Sequence, residues 1–170
     1  VGEYSTVACI KGVGPGKTYA FRADIDALPI QEETDVEFIS VHSGVMHACG
    51  HDGHIAVLLA FARELAAKKE TLNGTCYLCF QQGEEIGKGQ DQIISYLKNA
   101  GGITAVLACH LWVDIPVGKI SLRKGPVMAG TTSFQIRITG KGCHGSRPDQ
   151  GIDPINAAIT LIGQAIRLKD

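Results

Sequence analysis

No run of basic residues, no apolar stretch of membrane-spanning length, no internal repeat and no low-complexity segment occurs in this chain of 170 residues. Sixteen Lys and Arg stand against seventeen Asp and Glu, for a formal charge of −1. Without a basic run to neutralise a row of phosphates, nucleic acid is not an expected partner. The longest apolar stretch, residues 55–62 around Val57-Leu58-Leu59, falls far short of the roughly 20 residues that cross a bilayer, so no membrane partner is expected. The opening Val1-Gly2-Glu3-Tyr4 has neither the basic nor the apolar region of a signal peptide, and the expected location is cytoplasmic. The six cysteines fall in strand-like or motif positions rather than in a loop-rich framework, which argues for reduced thiols over a disulfide scaffold. Cys76 and Cys79 form a C-x-x-C inside the strand-like Thr75-Cys76-Tyr77-Leu78-Cys79-Phe80. Positions three apart on a strand point to opposite faces, so a buried structural role is expected there rather than a metal or redox role.

What is present suffices for a core: 45% of the residues are hydrophobic in a chain of ordinary domain length. Strand-like runs fall at residues 5–11, 18–23, 75–80 and 105–110. A first helix is predicted over 52–69, where Ile55, Leu58, Leu59, Ala62, Leu65 and Ala66 recur at three- and four-residue spacing. Asn73-Gly74 closes the connection to the next strand. A shorter helix fits 91–99, with Ile93, Ile94 and Leu97 apolar and Gly101-Gly102 as its stop. Strands alternating with helices, and near-continuous apolar strands such as Ala105-Val106-Leu107-Ala108, indicate an α/β fold with a mainly parallel sheet. In such folds ligands bind at the carboxyl ends of the strands.

The character changes near Gly125-Pro126. Residues 133–139 alternate polar and apolar as a strand with one wet face does. Asp153-Pro154 then offers an N-cap followed by proline at the first helical position, and Ile155, Ile159, Ile162 and Ile166 carry an apolar stripe onward through 154–169. The division expected is an α/β domain over residues 1–125 and the beginning of an α+β second domain over 126–170. One strand and one helix cannot close a core by themselves.

The residues able to do chemistry gather at strand ends. Asp24 and Asp26 follow the second strand; Cys49, His51, Asp52 and His54 lie around the start of the first helix; Glu84-Glu85 follow the third strand; His110 ends the fourth. Thiolate, imidazole and carboxylate are the groups that bind zinc-like ions, and their convergence from four loops is what a dinuclear site requires. Each piece also has a plain reading: Glu84-Glu85 as a solvated helix start, His110 as a half-buried strand histidine, Asp24 as a turn residue, His144 as an exposed loop histidine.

Four motifs, Arg22-Ala23-Asp24-Ile25-Asp26-Ala27-Leu28-Pro29, Met46-His47-Ala48-Cys49-Gly50-His51-Asp52-Gly53-His54, Gln81-Gln82-Gly83-Glu84-Glu85 and Gly140-Lys141-Gly142-Cys143-His144-Gly145-Ser146-Arg147-Pro148, resemble the aminoacylase and hippurate hydrolase type of metallo-amidohydrolase, a group that includes the plant auxin-conjugate hydrolases. The resemblance runs from near residue 5 to the end of the chain. It implies a catalytic domain with two divalent ions (Zn, Mn, Co or Ni), an inserted lid domain through which subunits associate into a homo-oligomer, and hydrolysis of N-acyl amino acids or similar small amides. Position by position it makes Cys49, His51, Glu85 and His110 metal ligands and Glu84 the general base. Asp26, with its neighbour Asp24, would orient ligands, and His144 would reach a substrate oxygen, in some relatives from a partner subunit. His42, His47 and His54 receive no ligand role. Cations of this kind acidify water and polarise carbonyls, and a nearby carboxylate can take the proton and return it to the leaving amine.

Cys143 stands where the group usually has glycine, and Gln82-Gly83 replaces a commoner Pro-Ala. The group also has a further histidine ligand near the end of a chain more than twice this length and a helical segment before position 1, so the chain reads as a fragment. Two alternatives remain open: a dipeptidase or carboxypeptidase of the same chemistry, and a metal-binding or oligomer-forming piece that catalyses nothing.

Overall fold

Four of the apolar runs assemble into a mixed sheet with a helix on each face. The strands are β1 (Thr6–Lys11), β2 (Gly14–Asp24), β3 (Asn73–Gln81) and β4 (Ala105–Ala108), and the helices beside them are α1 (His51–Ala67) and α2 (Gln90–Asn99). The computed structural model describes residues 1–168. The chain forms two units, Val1–Ser121 and a second that begins at Leu122. In the first, the strand order is β1-β3-β2-β4. β2 runs parallel to both β3 and β4, and β1 is antiparallel to β3, so the α/β, mainly parallel reading is correct.

Alternation along β3 builds the two layers of core. Tyr77 and Cys79 point to one face, where they pack with Ala20, Ile93 and Leu97 beneath α2. Leu78 and Phe80 point to the other, where they meet Ala23, Leu58, Phe61 and Leu65 beneath α1. Burying a side chain such as Leu78, 1% exposed, stabilises the fold by about 1.5–3 kcal/mol. The C-x-x-C residues sit as the alternation requires: Cys79 is buried, Cys76 half-buried, and both thiols are free.

Three local expectations are corrected. On α1, Leu59 is exposed and Ala66 lies on the wet side, while Phe61 takes a place in the core. The buried stripe therefore runs His51, His54, Leu58. β4 stops at Ala108, two residues before His110, and it is an edge strand whose four residues are all exposed. It pairs with β2 on one side, and among the described residues no strand pairs with its other side; apolar composition suits it for an interior strand but does not supply the neighbour. The strand expected at 133–139 does not form. An extended segment needs a ladder partner for its N–H and C=O groups, and among the described residues the second unit contains only the isolated bridge Lys141↔Ile152.

In the second unit α3 (Pro154–Arg167) begins as its sequence indicates. Asp153 caps it, its side chain accepting from Ile155 N–H at 2.8 Å, with Pro154 in the first turn. Ile155, Ile159, Ile162 and Ile166 line one side and are all exposed. The last residue of the expected 154–169 span, Lys169, lies outside the described residues. No helix among the described residues is long and apolar enough to cross a membrane.

Candidate metal centre

The carboxyl ends of the parallel strands and the start of α1 meet at one sheet edge. β2 ends on Asp24 opposite Gln81 of β3, and Arg22 lies opposite Ala108 of β4. After β3, a 3-10 turn (Glu84–Ile86) carries both glutamates. α1 starts directly at His51, because Gly50 at φ 84° takes the left-handed conformation that aims the helix start at the strand ends. A side chain at that φ would be strained, which explains a glycine between two potential ligands.

His51 is 1% exposed. Its Nδ1 lies 3.0 Å from the main-chain oxygen of Asp26. A carbonyl can only accept, so Nδ1 carries the hydrogen and donates, and the neutral ring keeps its lone pair on Nε2. Nε2 is buried with no hydrogen-bond partner. Around it stand Asp24 Oδ1 at 3.7 Å, Glu85 Oε1 at 3.8 Å and Glu84 Oε2 at 4.0 Å. These separations are too long for hydrogen bonds, yet near the roughly 3.4 Å between two ligands on one tetrahedral zinc whose bonds are about 2.0–2.1 Å.

His110 repeats the arrangement. Its Nδ1 donates to the Leu111 carbonyl at 2.5 Å, leaving Nε2 directed at Cys49 Sγ, 3.6 Å away. Sulfur and nitrogen sharing a tetrahedral zinc are roughly 3.5 Å apart. Donor atoms of Cys49, His51 and His110 lie within 4.8 Å of one another, and so do those of His51, Glu84 and Glu85. Burial, then the carboxylates of Glu85, Glu84 and Asp24, push the Cys49 thiol above its ordinary value. A thiolate among three carboxylates requires a positive charge to balance it. The orphaned His51 nitrogen, the preset tautomers and this surplus of anionic donors all fit divalent cations.

Asp26 holds two of the donors in place. Its main-chain oxygen accepts from His51 and, at 3.1 Å, from His47 Nδ1. Its Oδ2 accepts the Glu85 N–H at 2.9 Å, and its Oδ1 is 3.3 Å from His51 Nδ1. His47 also lines a cavity of about 300 Å³ together with Phe38, Val41, Met46 and Asp52.

A third group of potential ligands, Asp24, His51 and His54, is entirely buried. Leu111 N–H donates to His54 Nε2 at 2.8 Å, so His54 Nδ1 must carry the hydrogen, and it donates to Asp24 Oδ1 at 2.5 Å. Both ring nitrogens are committed, which rules His54 out as a ligand in this arrangement. Asp24 also receives Arg22 Nη1 at 2.8 Å. Burial alone would raise the Asp24 carboxyl, but the His54 hydrogen bond and the Arg22 charge outweigh it and hold it below its ordinary value.

The strand ends and the start of α1 thus bring Cys49, His51, Glu84, Glu85, His110, Asp24 and Asp26 together. His144 lies in the second unit, exposed, where its Nδ1 accepts from Ser146 N–H at 3.2 Å and lies 2.9 Å from Ser146 Oγ. That leaves its Nε2–H free to donate. His47, His54, Arg22 and Leu111 belong to the network although the sequence reading gives them no role in it. A signal for His54 does exist: it lies three residues after His51 and four before Leu58, in phase with the core-facing stripe of α1.

Residues 20–166 match the family described as Peptidase family M20/M25/M40. The chain is 46% identical over 160 residues to thermostable carboxypeptidase 1 of Saccharolobus solfataricus, covering 92% of this chain and 40% of that protein. It is 45% identical over 155 residues to N-acetyl-L-cysteine deacetylase of Bacillus subtilis, covering 91% and 37%. A solved Bacillus subtilis structure described as a dinuclear metal binding peptidase from the M20 family matches with a TM-score of 0.67 and 42% identity, over 72% of this chain and 34% of that one. The chain spans about two fifths of the length of the curated relatives it matches.

Proposed function

The chain belongs to peptidase family M20/M25/M40, and on that premise we propose that the protein is a metal-dependent amidohydrolase cleaving the amide bond of N-acyl amino acids or similar small amides. The observation that carries the reading is the buried, unpartnered His51 Nε2, encircled by donors from four separate chain segments.

Cys49, His51, Glu85 and His110 would supply ligands to two divalent ions, of Zn, Mn, Co or Ni. When bound, such ions supply acidified water and a polarised amide carbonyl. Glu84 is the general base: its carboxylate is 40% exposed against 25% for Glu85, so it faces the accessible side of the cluster. It takes the proton from water and passes it to the departing amine. Asp26 fixes the His51 ring and the Glu85 main chain. Asp24, tied to Arg22 and His54, lies behind them. His144 contributes its Nε2–H to a substrate oxygen, the role its motif implies. The second unit is the beginning of the lid, and its exposed isoleucine stripe on α3 suits a homo-oligomer contact. A cytoplasmic location completes the proposal.

A carboxypeptidase reading has specific support of its own, the 46% identity to two proteins of that name; the two readings share the chemistry and differ in what the pocket accepts. The test is hydrolysis by the intact protein of acetyl, benzoyl and indole-acetyl amino acids beside a panel of dipeptides, with each of the four metals restored after chelation. Turnover of the acylated amino acids supports the proposal. Turnover confined to dipeptides replaces it with the peptidase reading, and no turnover with any restored metal rejects both.

A further inference from the structure

β4 is an edge strand that ends at Ala108, and the chain after it, which carries His110, has no regular structure until a turn around Trp112 and Ile115. His110 is exposed, and Leu111 and Trp112 are about half exposed, at 51% and 50%. Sheet pairing therefore does not aim the His110 ring. Trp112 meets the ring edge to face, centroids 5.6 Å apart, and the hydrogen bonds that fix the main chain beside it run through one buried side chain. His54, 1% exposed, accepts the Leu111 N–H at 2.8 Å and is itself held by Asp24 at 2.5 Å, which Arg22 holds at 2.8 Å. The carbonyl of the same Leu111 accepts His110 Nδ1–H. The His54 and His110 rings also meet edge to face, centroids 4.5 Å apart at 67°. One residue of main chain is thus anchored by its N–H and, through its C=O, sets both the tautomer and the direction of the His110 imidazole.

We propose that His54 is a positioning residue for His110: it holds the peptide after β4 so that His110 Nε2 stays directed at Cys49 Sγ, without touching metal or substrate itself. This rests on the ligand role of His110 proposed above. Groups that orient a ligand in this way typically change metal affinity by about 10–100-fold when removed.

The side chains that separate this role from simple core filling are glutamine and asparagine. The Gln amide oxygen reaches as far along the side chain as the histidine Nε2, so His54→Gln can still accept from Leu111 N–H. The Asn amide reaches only as far as Nδ1, so His54→Asn keeps the Asp24 contact and loses Leu111. In the intact protein loaded with Co(II), His54→Gln is expected to bind the metal within about threefold of wild type with the same thiolate charge-transfer and d–d absorption. His54→Asn is expected to bind about 10–100-fold more weakly, with altered d–d bands. Equal affinity and spectra for wild type and His54→Asn overturn the proposal, as does equal weakening in both variants. If neither variant folds, hydrogen exchange of the Leu111 amide in the wild-type protein decides: slow exchange supports the tether and solvent-like exchange overturns it. His110→Ala serves as the independent arm. Unchanged cobalt affinity there removes His110 from the ligand set and leaves the His54 tether a fact about folding alone.

Discussion

Replacing Asp26 with alanine removes two contacts and leaves a third in place. The lost contacts are Oδ2 with Glu85 N–H at 2.9 Å and Oδ1 with His51 Nδ1 at 3.3 Å. The retained contact is the main-chain oxygen, which still accepts from His51 and His47, so the His51 tautomer survives. What loosens is the relative placement of two proposed ligands, His51 on α1 and Glu85 on the turn after β3. A hydrogen bond to a charged acceptor is worth about 1.5–3 kcal/mol net. With the Asp26 side chain 18% exposed, water recovers part of that, so the lower half of the range applies. Loss of a group that orients a ligand costs about 10–100-fold in metal affinity, or about 1.4–2.7 kcal/mol, and the two estimates overlap. Asp26→Ala in the intact protein should therefore raise the metal dissociation constant about 10-fold or somewhat more, read by competition with a chromophoric chelator, with circular dichroism unchanged. Asp26→Asn should recover only part, because accepting from Glu85 turns its NH2 toward the His51 N–H. A folded Asp26→Ala protein that binds metal as tightly as wild type would refute the reasoning.

Glu84→Gln should keep its metal and lose turnover by at least about a hundredfold, whereas Glu85→Gln should lose metal; the opposite pattern, measured by mass spectrometry of metal content and by steady-state rates, exchanges the two assignments. Cys49 should resist alkylation while metal is bound and react after chelation, with equal labelling in both states counting against ligation. Burial pushes the Cys79 thiol from an ordinary 9.0 up to about 11, so between these values the folded protein keeps a proton that the unfolded chain has released. Stability from this group is complete below about pH 9 and falls as pH rises toward about 11, and Cys79→Ala should flatten that alkaline loss in denaturant titrations. Gly74→Ala should destabilise the fold by more than about 1 kcal/mol, because Gly74 sits at φ 88° and a Cβ would lie 2.1 Å from the Lys17 carbonyl; an unchanged midpoint of unfolding would contradict this.

The strands and helices of the first unit are legible because each obeys a local rule. Residues 75–80 alternate into two layers, Ile93 and Leu97 repeat every four residues, and Asn73-Gly74 ends the connection and opens β3. The misjudged places depend on partners the sequence does not name. Residues 133–139 have the alternation of a strand, but alternation says only which face would be wet, and the hydrogen-bonding neighbour is a separate requirement. Ala105-Val106-Leu107-Ala108 has the composition of an interior strand and lies at an edge for the same reason.

The site divides along a similar line. Ligand types can be read from residue chemistry, and their convergence from the rule that strand ends share an edge, so Cys49, His51, Glu84, Glu85 and His110 are gathered as candidates without coordinates. Orientation cannot be read that way, because it is carried by main-chain atoms. The Asp26 carbonyl and the Leu111 carbonyl, groups every residue possesses, fix which nitrogen of His51 and of His110 is presented. His54 falls between these cases. Its chemistry is that of a ligand and its helical phase is that of a core residue, and both signals are correct in part. The phase buries it, burial requires both ring nitrogens to be satisfied, and the partners that satisfy them, Asp24 and the Leu111 N–H, leave neither nitrogen free for a metal and tie the ring to the main chain beside the proposed ligand His110. A histidine in phase with a buried helical stripe beside a metal-binding motif is therefore better read as holding the site than as filling it.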